Sequence, residues 1–583
     1  MSKAVHTKVF IAGQQILKNI SFNIEATQKM AQHQELKLTH DFYGINDTSS
    51  DFAQQTLNLI GFPFKLEVWE SSKRDTNIGK LLFMYQGVVT DVSIIKDDGG
   101  QGHIVVLVKS PTELLTHGKD SMSYEKKNLN DIICEATREY PNNIVDISVN
   151  PRFTDTIPYT VQYKENDFDF ICRLAKRYGE WFYYDGHTIN FGANSSSKVD
   201  LILNAGLDKF TFRAKSRPQN YNYLGYDYQS SEVHTSSMKD ENQKSKNPYI
   251  DRLIGASKNL YAKEPIGSYN NSSLEGGKKE LADMIKLKAK AAHNMLYVQG
   301  ESENTQVKLG GLIDIKGKNI NDPSKEDVYG TYIVTSLSYK ITPSEEYSNE
   351  FEGVPQEIDV PDYYDEDAVP LSEEQFAVVT DNNDPKGMGR VRVSFPWQAK
   401  NGGKTPWIRL STGHGGGGKG FYFIPEIGEE VLVVFEGGNA ENPYVIGTRY
   451  NSKQQTPVKD PSQKIIQTRS GNKIVLNDAD GSVSIYDKGT ASIKMDGAGN
   501  IEVNADKKLT INISKDKSTF EMNEGNVTLK AKDSIKLEVG KTKLELKAKS
   551  ALLKTTDAEI ATTKSFFHSD GTTIITGKPV AIN

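Results

Sequence analysis

The loop Gly413-His-Gly-Gly-Gly-Gly418-Lys419-Gly420 comes within one residue of a phosphate-binding P-loop. In such a loop backbone N–H groups cradle phosphates, and a Ser or Thr after the lysine reaches magnesium. Here that position is Gly420, which has no hydroxyl. The next residues, Phe421–Ile424, read as a strand, so no helix N-terminus follows to hold a phosphate. A flexible loop is the expectation. Asp381-Asn-Asn-Asp384 opens like a calcium loop, but Pro385 takes the fifth position and Arg392 stands where the bidentate glutamate belongs. A hairpin turn is the expectation there. Ten histidines are scattered without HxH or HExxH spacing. A lone histidine such as His568 more often faces solvent than an axial ion. The two cysteines, Cys134 and Cys172, lie in no CxxC or Cys/His cluster and read as reduced, buried thiols. No Ser/His/Asp set or carboxylate pair stands out. The expected catalytic residues, metal ligands and cofactors are therefore none.

The whole chain agrees with a non-enzymatic part. Its 583 residues exceed what one core can organise, so several domains are expected. Mean hydropathy is −0.54, and no apolar run approaches the ~20 residues of a membrane helix. The net charge of −6 supplies no global field for nucleic acid. Met1–Ile20 carries polar residues where a signal peptide needs an apolar centre. Cytoplasmic folding follows, with any export by a route that reads no classical signal.

Three compositional zones position whatever the chain does. In residues 1–370, strands are expected at Leu81–Ile95 and Ile104–Lys109. A helix is capped by Asn166, carries Asp169 in its first turn and stops at Gly179. A hairpin turns at Asp185-Gly186, and a second helix is expected over Lys278–Leu296. The acidic, proline-marked stretch Val354–Pro370 reads as a separator without a core. Residues 371–451 read as a small OB-type barrel of five or six short strands: Phe376–Thr380, Arg390–Phe395, Trp407–Ser411, Phe421–Ile424, Glu430–Phe435 and Tyr444–Thr448. Residues 452–463 link it to residues 464–583.

That last zone has no proline between Pro461 and Pro579, and short runs alternate apolar with polar residues. Period-two alternation means strands with one dry and one wet face. Successive runs begin at Val483, Ile493, Ile501, Leu509, Phe520, Val527, Ile535, Leu544, Leu552 and Ile560, a step of roughly eight residues. Eight residues cannot turn a full coil in one chain. Three chains can share it, one side of a triangular prism each, with lateral backbone bonds expected between chains. Leu529, Ile535, Leu537, Leu544 and Leu546 are then the trimer core, with Lys530, Glu538, Lys543 and Glu545 outside. A β-sandwich of short strands is the alternative, but it accounts neither for the missing prolines nor for the steady step.

Specific motifs add a resemblance. Gly389-Arg-Val-Arg-Val393, Pro396-Trp397, Trp407-Ile-Arg409, Phe423-Ile-Pro425, Ile427-Gly-Glu-Glu-Val431 and Asn442-Pro-Tyr-Val-Ile-Gly447 lead into Thr468-Arg-Ser-Gly-Asn-Lys-Ile474. Upstream stand Tyr163-x-Glu165-x-Asp167-Phe168-x-Phe170, Arg173-Leu174 and Tyr178-Gly179. In this order and spacing the chain resembles the VgrG family of type VI secretion spike proteins over nearly its whole length. It departs from many relatives at Pro396-Trp397, where they carry His-Trp, and is shorter before Trp407. The resemblance implies a mainly β fold: a phage-tail-hub-like α+β region, an OB barrel and an intertwined triple-stranded β-helix. It implies a homotrimer that docks on a tube ring protein and baseplate components, carries a PAAR-repeat cap and secreted effectors, and meets membranes only by transient puncture. A cap-docking surface is expected at Ile574, Ile575, Val580 and Ile582. No room is expected for a toxin or lysozyme domain. A phage-tail or extracellular injection-machine spike is the alternative, and a carbohydrate-active β-helix the enzymatic one.

Overall fold

A computed structural model describes residues 3–15, 22–43, 57–70, 79–96, 101–193, 198–241, 244–270, 277–319, 321–322, 325–514, 517–547, 550–554, 571–572, 574 and 576–577. Residues 1–451 form one compact unit and residues 452–583 a second. Among the described residues no helix is long and apolar enough to cross a membrane.

The first unit is organised by a thirteen-stranded sheet whose order does not follow the chain. Lys3–Ile11 pairs antiparallel with Pro63–Glu70, and Asn23–Lys29 pairs with Glu326–Ile341. Strand Glu346–Pro355 then reaches back to Lys3 and Ala4, so the two ends of the hub zip into one sheet. Alternation sets which face is dry: Leu66 and Val68 are buried while Lys65 and Glu67 are not. The helix Asp167–Tyr178 lies across this core, with Phe170, Ile171, Leu174 and Ala175 buried. Its ends match the expectation. The Asn166 side chain accepts from the Asp169 N–H at 2.7 Å, and Gly179 closes the helix at φ 66°, a left-handed turn that Gly adopts without strain.

Three expectations for residues 1–370 need correction. The second helix spans Gly277–Ala291 and stops short of Leu296, which opens the strand Leu296–Ser302. Met295 and Leu296 are buried, but against Trp181 and Tyr183 rather than on the helix face, so apolar spacing alone overran the turn. Cys134 is exposed, because the helix Leu129–Ala136 buries Leu129, Ile132 and Ile133 instead. The stretch Val354–Pro370 is not a bare separator. Val354, Ile358 and Val360 are buried, and Asn294 donates to the Val360 carbonyl at 2.8 Å. Tyr363 accepts from the Phe182 N–H at 2.9 Å and donates to the Glu180 carbonyl at 2.8 Å. Two of its acids pair with lysines, Asp359 with Lys290 at 3.0 Å at the surface and Glu366 with Lys288 further in, so a run acidic in composition still has one dry side.

The barrel sheet runs Arg392–Ser394, Gln375–Asp381, Glu430–Phe435, Pro443–Thr448 around Ala377, Val379, Val393, Val431, Val433 and Val445. Segment Trp407–Ser411, expected as a strand, joins only through bridges at Ile408 and Leu410. Phe421–Ile424 is no strand. It follows a minimal hairpin, Gly415–Gly416 against Lys419–Gly420, and its aromatics stay exposed. A run of apolar residues without alternation does not distinguish a strand from an extended loop.

In the second unit eleven short strands run from Gln463 to Lys554, each pairing antiparallel with its sequence neighbour within sheets of five, three and three. This corrects the expectation that lateral bonds join only different chains. Two-residue turns make the local pairing possible: Asn523 faces Asn526 and Val539 faces Thr542, with Gly525 and Gly540 at positive φ in between.

The folded stretch after the hub sheet generates a test. Ile358→Ala should lower the stability of the first unit by about 2–4 kcal/mol in denaturant unfolding. A loss within about 0.5 kcal/mol, the usual range for surface sites, would mean that the segment is not packed.

Candidate functional site: a one-sided needle and a buried ionic joint

Within each needle sheet the register places apolar side chains on one face in cross-strand rows. Ile474, Ile485, Ile493 and Val503 are cross-strand partners in turn, and so are Leu476, Val483, Met495 and Ile501. The next sheet continues with Ile511–Phe520–Leu529 and Leu509–Met522–Val527. The last pairs Leu537 with Leu544 and Ile535 with Leu546. All five residues expected as trimer core, Leu529, Ile535, Leu537, Leu544 and Leu546, thus lie in these rows. The opposite face carries the pairs Lys536–Glu545 and Glu538–Lys543. There Glu545 is covered by Lys536, Lys543 and Lys547 at 3.3–3.5 Å.

Much of these rows is open in the single chain. Ile501 is 70% exposed, Val527 63% and Leu537 54%. Burying one such side chain contributes about 1.5–3 kcal/mol if fully exposed. A row this long therefore holds on the order of 15 kcal/mol per chain. Of the residues expected at the tip, Ile574 is exposed; Ile575, Val580 and Ile582, like His568, lie outside the described residues.

The second construction sits inside the first unit, where the hub helix meets the barrel. Glu441, in the turn before Pro443–Thr448, is buried. Its carboxylate accepts from Thr160 Oγ1 at 2.5 Å and from the Val161 N–H at 3.4 Å, and pairs with Arg177 and, at 3.6 Å, with Arg173. Arg173 also grips Glu165 with two bonds of 2.8 Å, and Arg177 reaches Glu280 at 3.5 Å. Burial opposes ionisation of Glu441, but the two guanidiniums and these hydrogen bonds outweigh it and hold its carboxyl below the ordinary range.

Around this centre the joint is dense. Arg392 of the barrel holds Glu125 at 2.7 and 2.8 Å, Gln398 donates to Ser123 and Tyr159, and Tyr163 donates to Glu373 at 2.9 Å. Phe395 and Trp397 stack at 5.4 Å. The motif residues Tyr163, Glu165 and Arg173 are thus parts of one seam. Arg177 and Glu441 were not singled out from the sequence; the four-residue spacing from Arg173 to Arg177 on one helix face was the available signal.

The other chemistry-like motifs resolve into structure. Asp384 accepts from Arg390 at 2.7 and 3.0 Å and from the N–H groups of Lys386, Met388 and Arg390. The bonds from Arg390, ahead of those from the backbone, hold its carboxyl well below the ordinary range. Burial pushes the Cys172 thiol up to about 12, which favours the protonated form at neutral pH. Among the described residues no group of His, Cys, Asp and Glu could hold a metal ion.

Comparison with known proteins decides the family. Residues 35–344, more than half of the chain, match the phage tail baseplate hub (GPD) family, and residues 375–450 match the type VI secretion system/phage-baseplate injector OB domain. The chain belongs to the VgrG family. It is 24% identical over 463 residues to type VI secretion system spike protein VgrG1b of Pseudomonas aeruginosa, covering 71% of this chain and 57% of that protein. It is 23% identical over 452 residues to VgrG1a of the same organism, covering 69% and 67%. The fold is shared with a solved Francisella PdpA–VgrG complex at a TM-score of 0.54 and 12% identity, over 86% of this chain and 79% of that one. The motifs read as VgrG-like are those of the seam and barrel, and the mainly β, hub-plus-OB architecture stands.

The joint generates the second test. Glu441→Gln leaves Arg173 and Arg177 buried against a neutral partner and should cost about 3–5 kcal/mol at neutral pH. Because the folded-state carboxyl titrates below the unfolded one, this stabilisation is full above the ordinary carboxylate range and is lost as pH falls through the folded value. The gap between the wild-type and variant melting temperatures should narrow from pH 7 towards about pH 3. A gap independent of pH would assign the effect to packing.

Proposed function

We propose that this chain is the homotrimeric puncturing spike of a type VI secretion system and the carrier of its cap and effectors. The observation that carries the reading is the needle's apolar face: strands bonded to neighbours of the same chain within three sheets and largely uncovered on one apolar side. Three such faces closing on one axis cover each other, and the gain of on the order of 15 kcal/mol per chain competes with association costs of about 4–15 kcal/mol. Contraction of a sheath supplies the work, and the trimer transmits it as a stiff point, without catalysis of its own. The ring-shaped tube and baseplate lie on the hub side, and a PAAR-repeat cap sits on the needle end near Ile574. Assembly takes place in the cytoplasm, and the spike leaves on firing. The relatives' names as secretion spikes support this reading, and the solved complex of a VgrG with PdpA supports a spike that carries other polypeptides.

Sedimentation of the purified chain should give a species of three times 64.9 kDa. Leu537→Asp places three carboxylates in a dry core, at several kcal/mol per ion, and should abolish that species. The outward change Lys543→Asp should leave it. A wild-type monomer that does not change with concentration would end the proposal, and an intact Leu537→Asp trimer would show that this face is not the core.

A further inference from the structure

The needle's polar face is uneven along its length. From Lys507 to Lys554 the chain carries twelve lysines against six acidic residues, a net of six positive charges. From Lys464 to Asp506 five basic residues meet six acidic ones. The whole chain is at −6, so the distal segment is a basic island in an acidic protein. The strand register decides where these charges go. Lys530 faces Thr519 across the ladder and Lys536 faces Glu545, on the side away from the Ile511–Phe520–Leu529 row. Lys541 and Lys532 sit at exposed turn and strand-end positions.

We propose that residues 507–554 form a polycationic collar that docks the spike on an anionic lipid surface. The inference rests on the trimer reading: once three apolar faces close on the axis, the lysine face is all the needle shows. Three copies repeat this surplus of lysine over six strand levels, a length of about 30 Å at ~4.8 Å per strand. Neighbouring charges then lie within the ~8 Å screening length of physiological salt and act on a surface together. An anionic leaflet attracts such a segment by about fivefold in affinity for each lysine near it. A lipid fits better than a single-stranded nucleic acid, which is held by aromatic platforms. The one aromatic in the segment, Phe520, pairs with Ile511 and Leu529 in the apolar row.

Flotation of the full chain with vesicles tests this, using phosphatidylcholine with about 30% phosphatidylglycerol against phosphatidylcholine alone, in about 0.1 M salt. The triple variant K530Q/K532Q/K541Q is compared with K464Q/K473Q/K488Q, which removes as many charges from the proximal needle, and every sample is checked by sedimentation. Binding is expected only to the anionic vesicles, reduced at least about tenfold by the distal variant and less than about twofold by the proximal one. Equal loss in both variants, or equal binding to neutral vesicles, overturns the collar. Preferential capture of a duplex oligonucleotide over anionic vesicles overturns it in favour of nucleic acid. A trimer that ignores the anionic lipid removes this inference alone, whereas a monomer removes the assembly beneath it.

Discussion

Everything in the second unit depends on one imbalance between backbone and side chains. Within each of its three sheets the antiparallel meander pairs strands of one chain, so those bonds call for no partner. Its side chains do. The rows through Ile485, Phe520 and Leu537 stand partly uncovered in each sheet, and monomeric soluble proteins rarely expose large apolar patches. Proline is absent from the stack, and at the interior strands of each sheet it would remove a ladder hydrogen bond. Lysine and glutamate pairing on the reverse side keeps the stack soluble and discourages a register slip, which would put Glu545 where Leu544 and Leu546 lie.

The first unit meets a different constraint. The contact between hub and barrel sets buried charges beside an apolar cluster of Tyr159, Val161, Tyr163 and Ala440 with Trp397 and Phe435. Glu441 between Arg173 and Arg177 is expensive to desolvate and costly to break, which makes the seam specific in angle and partner more than strongly adhesive. The helix that supplies both arginines is anchored at each end by its own caps and through its length by the hub core, so the two guanidiniums arrive pre-positioned.

Much of this was legible in the residues. Asn166 and Gly179 marked a helix by cap chemistry, and alternation in Leu537, Leu544 and Leu546 assigned a face, because both signals are local. Pairing was not legible in the same way. Whether a needle strand bonds to its own neighbour or to another chain depends on two-residue turns at Gly525 and Gly540, a preference that the eight-residue step conceals. Composition misled at Val354–Pro370, where Ile358 and Val360 enter the core between acids that pair with Lys290 and Lys288. Glu441 was invisible for a further reason: its partners lie more than 260 residues away in the chain, and no local pattern records such a contact.

The most direct measurement is an electron cryomicroscopy reconstruction of the purified chain. The account predicts a threefold axis through residues 464–554, with Ile485, Phe520, Leu537 and Leu544 of three copies meeting on it and Lys536 and Lys543 on the outer surface. A needle that is single-stranded in the map, or one whose apolar rows face solvent or a two-fold neighbour, would contradict it.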